Sequence, residues 1–251
     1  WRNKQEDPRG SETRSFGYTN YDHLHADILK WMEAGWMDYI LPQLYFNIGY
    51  PAADFNVLAK WWRDYSAGTP VYGGLGTYRL DANSKIEAWR SAQEIKKQAE
   101  ILRTMEQYHG VCYFSAKDMR KNVLGINTVL KGLYPAPSIV PALRGFETTP
   151  PAAPAKAEMT LAGGKLNLSW SGDKLPEGNA SLAECNSERA YYYAVYRFKK
   201  GETPDFENGK AMISLTGETS FVTSGADASQ YEYYVSALDR LYNESTPVKF
   251  K

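Results

Sequence analysis

Residues 35–50 read GWMDYILPQLYFNIGY. Within them DYILPQLYF is an apolar run that begins at Asp38 and ends in Gln43, Tyr45 and, just beyond, Asn47, before a Gly49-Tyr50-Pro51 loop. An apolar run of this length bounded by turn residues reads as a buried strand. A strand that only fills a core has no need of hydrogen-bonding side chains at its end, whereas a strand that delivers residues to a site does. Gln43 and Tyr45 are two apart and share one face of the strand. Asn47 continues that face if the extended conformation continues.

On the N-terminal side, NYDHLHADILKWMEA (20–34) places Leu24, Ile28, Trp31 and Met32 on one helical face, and Gly35 ends the pattern. On the C-terminal side, Asp54 can cap a helix that buries Phe55, Leu58, Trp61, Trp62 and Tyr65. TPVYGGLGTYRL (69–80) then reads as a strand and 87–107 as a helix, with Ala92, Ile95, Ala99, Leu102 and Met105 three or four apart. GVCYFSA (110–116) is a further strand, and a last helix is expected at about 122–133. Strands alternating with helices imply parallel strands joined by right-handed crossovers. A doubly wound sheet and a (β/α)8 barrel both fit. No GxGxxG opens a helix after a strand, so a dinucleotide site is not supported. Gly73, Gly74 and Gly76 lie inside a strand, where glycine admits a close backbone or ligand, a bend, or tight packing.

Prolines at 135, 137, 141, 150, 151 and 154 mark a break in composition, read as a stiff linker at 146–156. Beyond it the period changes to two. KLNLSW (165–170), AYYYAVYRF (190–198), TSFVTS (219–224) and QYEYYVSALD (230–239) alternate as strands with turns between them, the pattern of a β-sandwich. The expected fold class is therefore α/β followed by all-β. The expected domains are 1–145 and 157–251, and the loop at 174–189 is longer than a compact sandwich needs.

Bulk properties narrow the function. Hydrophobic residues make up 43% and charged residues 23% of the chain, a globular composition. Lys plus Arg equals Asp plus Glu at 29 each, which argues against a nucleic-acid partner. No apolar stretch is long enough for a transmembrane helix. The 19 Tyr and 7 Trp suit a glycan, because their flat apolar faces and polar tips match the C–H faces and hydroxyl edges of sugars. Cys112 and Cys185 fall in different domains, so neither a disulfide nor a zinc spacing is expected. His23 and His25 are two apart on a helix and do not share a face, so they do not form a metal pair. No metal or cofactor is expected.

The segment GWMDYILPQLYFNIGYPAADF, preceded by YDHLHADILKWMEA, resembles the C-terminal half of the glycosyl hydrolase-like 10 family of bacterial (β/α)8-barrel proteins. WRNK at the start, DPRGS at 7–11, VYGGLGTYR at 71–79 and VCYFSAKDM at 111–119 fit in the same order, and the resemblance runs over residues 1–145. It implies a partial TIM-type barrel whose sixth strand is near 38–46, seventh near 71–78 and eighth near 111–116. A barrel needs at least about 200 residues, so four to five β/α units are expected to be missing. The open sheet edges then require the remaining barrel half or a second copy of the chain. The rival is a complete open α/β domain.

Barrel enzymes place their chemistry at the C-terminal ends of strands. Those ends offer Gln43, Tyr45 and Asn47, then Tyr78 and Arg79, then Ser115 and Lys117. Trp1 and Arg2, with Asn3 beside them, follow the end of the fifth strand. These groups suit binding a polysaccharide and stabilising developing charge. Glycoside hydrolysis also needs an acid and usually a second carboxylate about 5–9.5 Å away. Asp38 lies at the wrong end of its strand, while Asp81 and Asp118 suit loop or capping roles. The resemblance implies an acidic pair at the end of the fourth strand, outside this sequence, so the catalytic residues are not assigned. Tyr45 is similar in position to the tyrosine that enzymes using substrate-assisted hydrolysis present to an acetamido group.

The second domain resembles a fibronectin type III module through Leu166, Leu168 and Trp170, through Tyr193, Val195 and Tyr196, and through YEYYVSALDRLYNES (231–245). That resemblance implies a spacer without catalysis. The expected protein is a bacterial glycoside hydrolase of the cell envelope or a secreted one, acting on a cell-wall or other polysaccharide. The alternatives are a non-catalytic glycan-binding or scaffold protein, and an interaction module whose Tyr-rich sandwich carries the function.

Overall fold

Pro42 governs how the decisive segment joins its sheet. In the computed structural model, residues 40–44 lie parallel to β1 (Val71–Leu75). The Ile40 amide donates to Pro70 O at 3.0 Å, Tyr72 N to Ile40 O at 2.9 Å, Gly74 N to Pro42 O at 2.9 Å and Leu44 N to Gly74 O at 2.9 Å. This is a regular parallel ladder with one rung missing, the one that Pro42 has no N–H to donate. β1 in turn pairs in parallel with β2 (Tyr108–Tyr113), with a shift of register between Val71 and Tyr72. Three extended segments therefore run side by side in sequence order.

The structure describes residues 1–2, 7–14, 18–141, 149–172, 189–226 and 228–251. Asn3, Cys185 and most of the loop at 174–189 lie outside them. The chain divides into two units, Trp1–Leu133 and Tyr134–Lys251.

In the first unit, α1 (Ile28–Glu33) and α2 (Phe55–Asp64) precede β1, α3 (Gln93–Arg103) lies between β1 and β2, and α4 (Ala116–Lys121) and α5 (Ile126–Leu133) follow β2. Asp54 caps α2 as expected, its carboxylate accepting from Asn56 N at 2.6 Å. Phe55, Leu58, Trp61 and Trp62 are buried on the inner side of α2. They join Ile95, Ala99 and Leu102 of α3 and Val71 and Leu75 of β1 in one core. Gly73 lets α3 lie directly against the sheet, because a Cβ there would come 2.2 Å from Leu102 Cδ1. Gly74 faces the other way, where a Cβ would meet the Pro42 carbonyl at 2.7 Å. The strand glycines thus serve close packing between neighbouring segments.

The helix expected over 20–34 is shorter than its pattern. It starts at Ile28, with Asp27 as N-cap accepting from Lys30 N at 3.1 Å, and His25 holds a φ of 51° that no helix continues through. Leu24 is consequently 62% exposed, while Leu29 and Met32 carry the buried face. His23 and His25 are both exposed. The segment expected as one helix at 87–107 is a 3-10 turn at Glu87–Arg90 followed by α3. Left-handed residues Asn122, Leu124 and Gly125 separate α4 from α5.

The second unit holds two antiparallel sheets. One has the order β3 (Ala155–Ala162), β4 (Lys165–Ser171), β7 (Ser220–Ser224). The other has the order β6 (Met212–Thr216), β5 (Tyr192–Lys199), β8 (Tyr231–Leu238), β9 (Val248–Lys249). Leu166, Leu168 and Trp170 of β4 share a core with Tyr193 and Val195 of β5 and with Tyr233 and Val235 of β8, so side chains of both sheets meet. Ile139, from the proline-rich stretch, packs beside Ala194, Tyr196 and Phe198 on the other side of β5.

Candidate functional site

Parallel strands deliver their C-terminal ends to the same rim, and three aromatic rings meet there. Tyr45 follows the 40–44 segment, Tyr78 lies in a 3-10 turn just after β1, and Phe114 directly follows β2. The ring centroids of Tyr45 and Tyr78 are 5.6 Å apart, those of Tyr45 and Phe114 5.8 Å, and those of Tyr78 and Phe114 5.9 Å. Gly76 permits this approach, because a Cβ there would sit 3.3 Å from Tyr45 Cβ. Tyr78 is 46% and Phe114 54% exposed, so the cluster presents ring surface to solvent rather than filling the core. Burial of its own hydroxyl pushes the Tyr45 phenol above its ordinary value, with Cys112 and Tyr78 adding to the effect. Tyr45 therefore stays a hydrogen-bond donor across neutral pH. Gln43, two residues earlier, is exposed.

Beside the cluster a small pocket opens to solvent, lined by Tyr45, Asn47, Tyr50, Arg79, Ile86 and Trp89, with Phe46 alongside. The Arg79 guanidinium carbon lies 5.4 Å from the Tyr78 ring centroid and 5.9 Å from that of Trp89. Its Nε is buried and has no hydrogen-bond partner among the described residues. Asn47 donates to Ile48 O at 2.8 Å. The loop carrying these groups is held from behind by α3. Glu94, itself buried, accepts from Ile48 N at 2.8 Å and from Gln98 Nε2 at 2.8 Å, and Gln98 Nε2 also donates to Phe46 O at 3.0 Å.

The other expected residues are placed as follows. Ser115 forms a capping box with Asp118 at the start of α4, the Asp118 carboxylate accepting from Ser115 N at 3.0 Å. Lys117 is exposed on α4. Arg2 is 3% exposed, ion-paired to both Asp7 and Asp27, with its guanidinium carbon 3.8 Å above the centroid of Tyr21. The Trp1 ring stands edge-on to Phe46 with centroids 5.8 Å apart. Asp81 accepts from Asn83 N at 2.9 Å, as a loop aspartate does. Thus Tyr45, Asn47 and Arg79 line one pocket and Tyr78 adjoins it, while Ser115, Lys117 and Arg2 serve or sit in other local arrangements. Cys112 is free and exposed. No group of three or more His, Cys, Asp or Glu suited to a metal ion occurs among the described residues.

Four contributors carried no signal of their own in the sequence reading: Phe114, Trp89, Tyr50 and Glu94. Phe114 was legible in principle, being the residue that follows Cys112 by two in VCYFSA. Trp89 and Glu94 reach the site from a turn and a helix after β1, which no strand-end argument singles out.

Comparison with known proteins bears on this rim. Residues 7–91 match the family described as Glycosyl hydrolase-like 10. The chain is 35% identical over 257 residues to glycosyl hydrolase YngK of Bacillus subtilis (strain 168), covering 99% of this chain and 47% of that protein. It is 38% identical over 127 residues to glycosyl hydrolase DigH of Escherichia coli (strain K12), covering 48% of this chain and 28% of that one. The chain thus spans about half or less of the length of these relatives. Among solved structures, that of the CBM32-1, CBM32-2 and M60 catalytic domains of Clostridium perfringens ZmpB aligns with a TM-score of 0.29 and 15% identity, over 83% of this chain and 20% of that one. So low a score supports no argument about fold or function. The N-terminal part of the chain carries a glycosyl hydrolase-like sequence, and one relative that matches across both halves bears that name.

Proposed function

We propose that this chain is the C-terminal part of a glycoside hydrolase that acts on a polysaccharide, with cell-wall glycan as the substrate class to test first. The observation that carries the reading is the Tyr45–Tyr78–Phe114 cluster with Arg79 beside it, at the C-terminal rim of parallel strands. In this reading 1–145 is the C-terminal part of a (β/α)8 barrel and 157–251 a fibronectin type III-like β-sandwich. The run of parallel segments separated by helices supports the first, and the three-plus-four antiparallel sheets with a shared core support the second. Tyr45 and Gln43 contact the sugar where the bond breaks, and Tyr78 and Phe114 offer ring faces to its C–H surfaces. Asn47 and Arg79 complete that wall, whereas Ser115, Lys117, Trp1 and Arg2 lie outside the lining of the pocket. The acidic pair belongs to strands outside residues 1–251.

One face of the parallel sheet favours a barrel companion. Tyr39, Leu41 and Phe114 are exposed on it, and apolar side chains in such a row need a cover. The remaining barrel half, or a second copy, supplies that cover in this reading. No helix among the described residues is long and apolar enough to cross a membrane. A polysaccharide substrate places the protein in the cell envelope or outside the cell.

A non-catalytic glycan-binding role is the second reading, favoured by one observation: among the described residues no carboxylate lines the pocket beside the cluster. Release of reducing ends from cell-wall glycan by the complete native protein separates the two. The hydrolase reading expects release, and expects Tyr45→Phe to lower turnover by about tenfold or more at unchanged thermal stability. Binding without release identifies the glycan-binding role instead.

A further inference from the structure

We propose that Arg79 forms an anion subsite in this cleft, taking the carboxylate of an acidic sugar residue whose ring lies along Tyr78 and Tyr50. The inference rests on the glycan-cleft reading and adds the charge of the ligand to it. An arginine inside a folded unit ordinarily meets a carboxylate, a carbonyl or water. Arg2 shows the usual outcome in this chain, with two aspartates on one guanidinium. Arg79 departs from it. Its Nε is buried and without a partner among the described residues, and no ion pair involving it is found among them. Its guanidinium carbon lies 5.4 and 5.9 Å from the ring centroids of Tyr78 and Trp89, and no acid pairs with it among the described residues.

The surroundings are matched to that charge. The pocket is walled by Tyr45, Asn47, Tyr50, Ile86 and the buried Trp89, and among the described residues no negative group joins them. The nearby buried carboxylate, Glu94, is turned away, since it is occupied by Ile48 N and Gln98 Nε2 behind the loop. A neutral sugar would leave the guanidinium without a counter-charge. A carboxylate accepts two parallel N–H bonds from the planar fork, the arrangement in which arginine is most selective. The aromatic walls then hold the sugar ring while the charge fixes its orientation.

The test is calorimetric titration of the 251-residue chain with two oligosaccharides that differ in one feature. One is a hyaluronan hexasaccharide, and the other is the same hexasaccharide with its carboxylates reduced to alcohols. Inorganic phosphate is titrated as a third ligand. The expected result is at least about tenfold tighter binding of the acidic form, with Arg79→Gln reducing the preference to less than about twofold while binding of the reduced form persists. Arg79→Lys should retain part of the preference, and guards against a loss of fold in the glutamine variant. Equal binding of both forms by the native chain, or a preference that survives in Arg79→Gln, overturns the anion subsite and leaves the glycan cleft standing. Binding of neither oligosaccharide overturns the anion subsite, while the glycan-cleft reading stands or falls separately on reducing-end release from cell-wall glycan. Arg79-dependent binding of phosphate without a preference for the acidic sugar overturns the carboxylate assignment.

Discussion

Tyr45 and Arg2 were both read from the sequence as site residues, and they end in opposite circumstances. Tyr45 sits at a strand end with its hydroxyl partly shielded and its ring against two others. Alternation from Gln43 made its direction legible, because period two is a property of any strand. Arg2 could not be placed by periodicity, since its partners Asp7 and Asp27 lie in loops whose approach depends on the folded chain. Asp7 offers a prediction at this scale. The Arg9 backbone N–H, together with the charges of Arg2 and Arg9, holds its carboxyl below the ordinary value against the opposing effect of burial. A depressed folded-state value contributes stability that is present above the unfolded value, about pH 4, and lost as pH falls through the folded one. Asp7→Asn should therefore lower the thermal midpoint at pH 7 and flatten its decline below pH 4. An unaltered acid limb would show that the ion cluster does not couple to folding.

At the scale of elements, the apolar run at 38–46 was legible as a strand, yet the missing Pro42 rung makes its pairing less continuous than β1 with β2. The helix over 20–34 misled because Leu24 matched the helical spacing, while Asp27 and His25 decided where the helix starts. Capping overrode periodicity there. β3, β6 and β9 escaped detection for a different reason. β3 alternates Ala157, Met159 and Leu161 with Lys156, Glu158 and Thr160, but it directly follows the proline-rich stretch, which masked the pattern. Two substitutions probe the elements that position the site. Asp54→Ala removes the α2 cap and should destabilise the fold by about 1 kcal/mol, measured by denaturant titration. Gly74→Ala drives a Cβ toward the Pro42 carbonyl at 2.7 Å and must push the 40–44 segment off β1. It should cost about 1–3 kcal/mol and, by shifting Tyr45, weaken glycan binding as well. Full stability in Gly74→Ala would mean that the pairing of these segments is looser than its hydrogen bonds indicate.

At the scale of the molecule, the change from α/β to all-β pattern was plain in the sequence, and the two units reflect it. How a site is completed was not legible, because it depends on segments that approach one another only in the folded protein. The open sheet face and the absence, among the described residues, of a carboxylate from the pocket lining both point to a cleft with a second wall. The groups gathered on the first unit are rings, amides and a cation, which suit binding. A glycan cleft on the first unit is the central claim, and it separates this reading from one in which the Tyr-rich sheets of the second unit hold the glycan. The most direct test is a nuclear magnetic resonance titration of the 251-residue chain with an N-acetylglucosamine-containing oligosaccharide, following the ring signals of its aromatic residues. The glycan-cleft reading predicts shifts at Tyr45, Tyr78 and Phe114 that saturate together and disappear in Tyr45→Ala. Shifts confined to residues 134–251, or none at all, would contradict it.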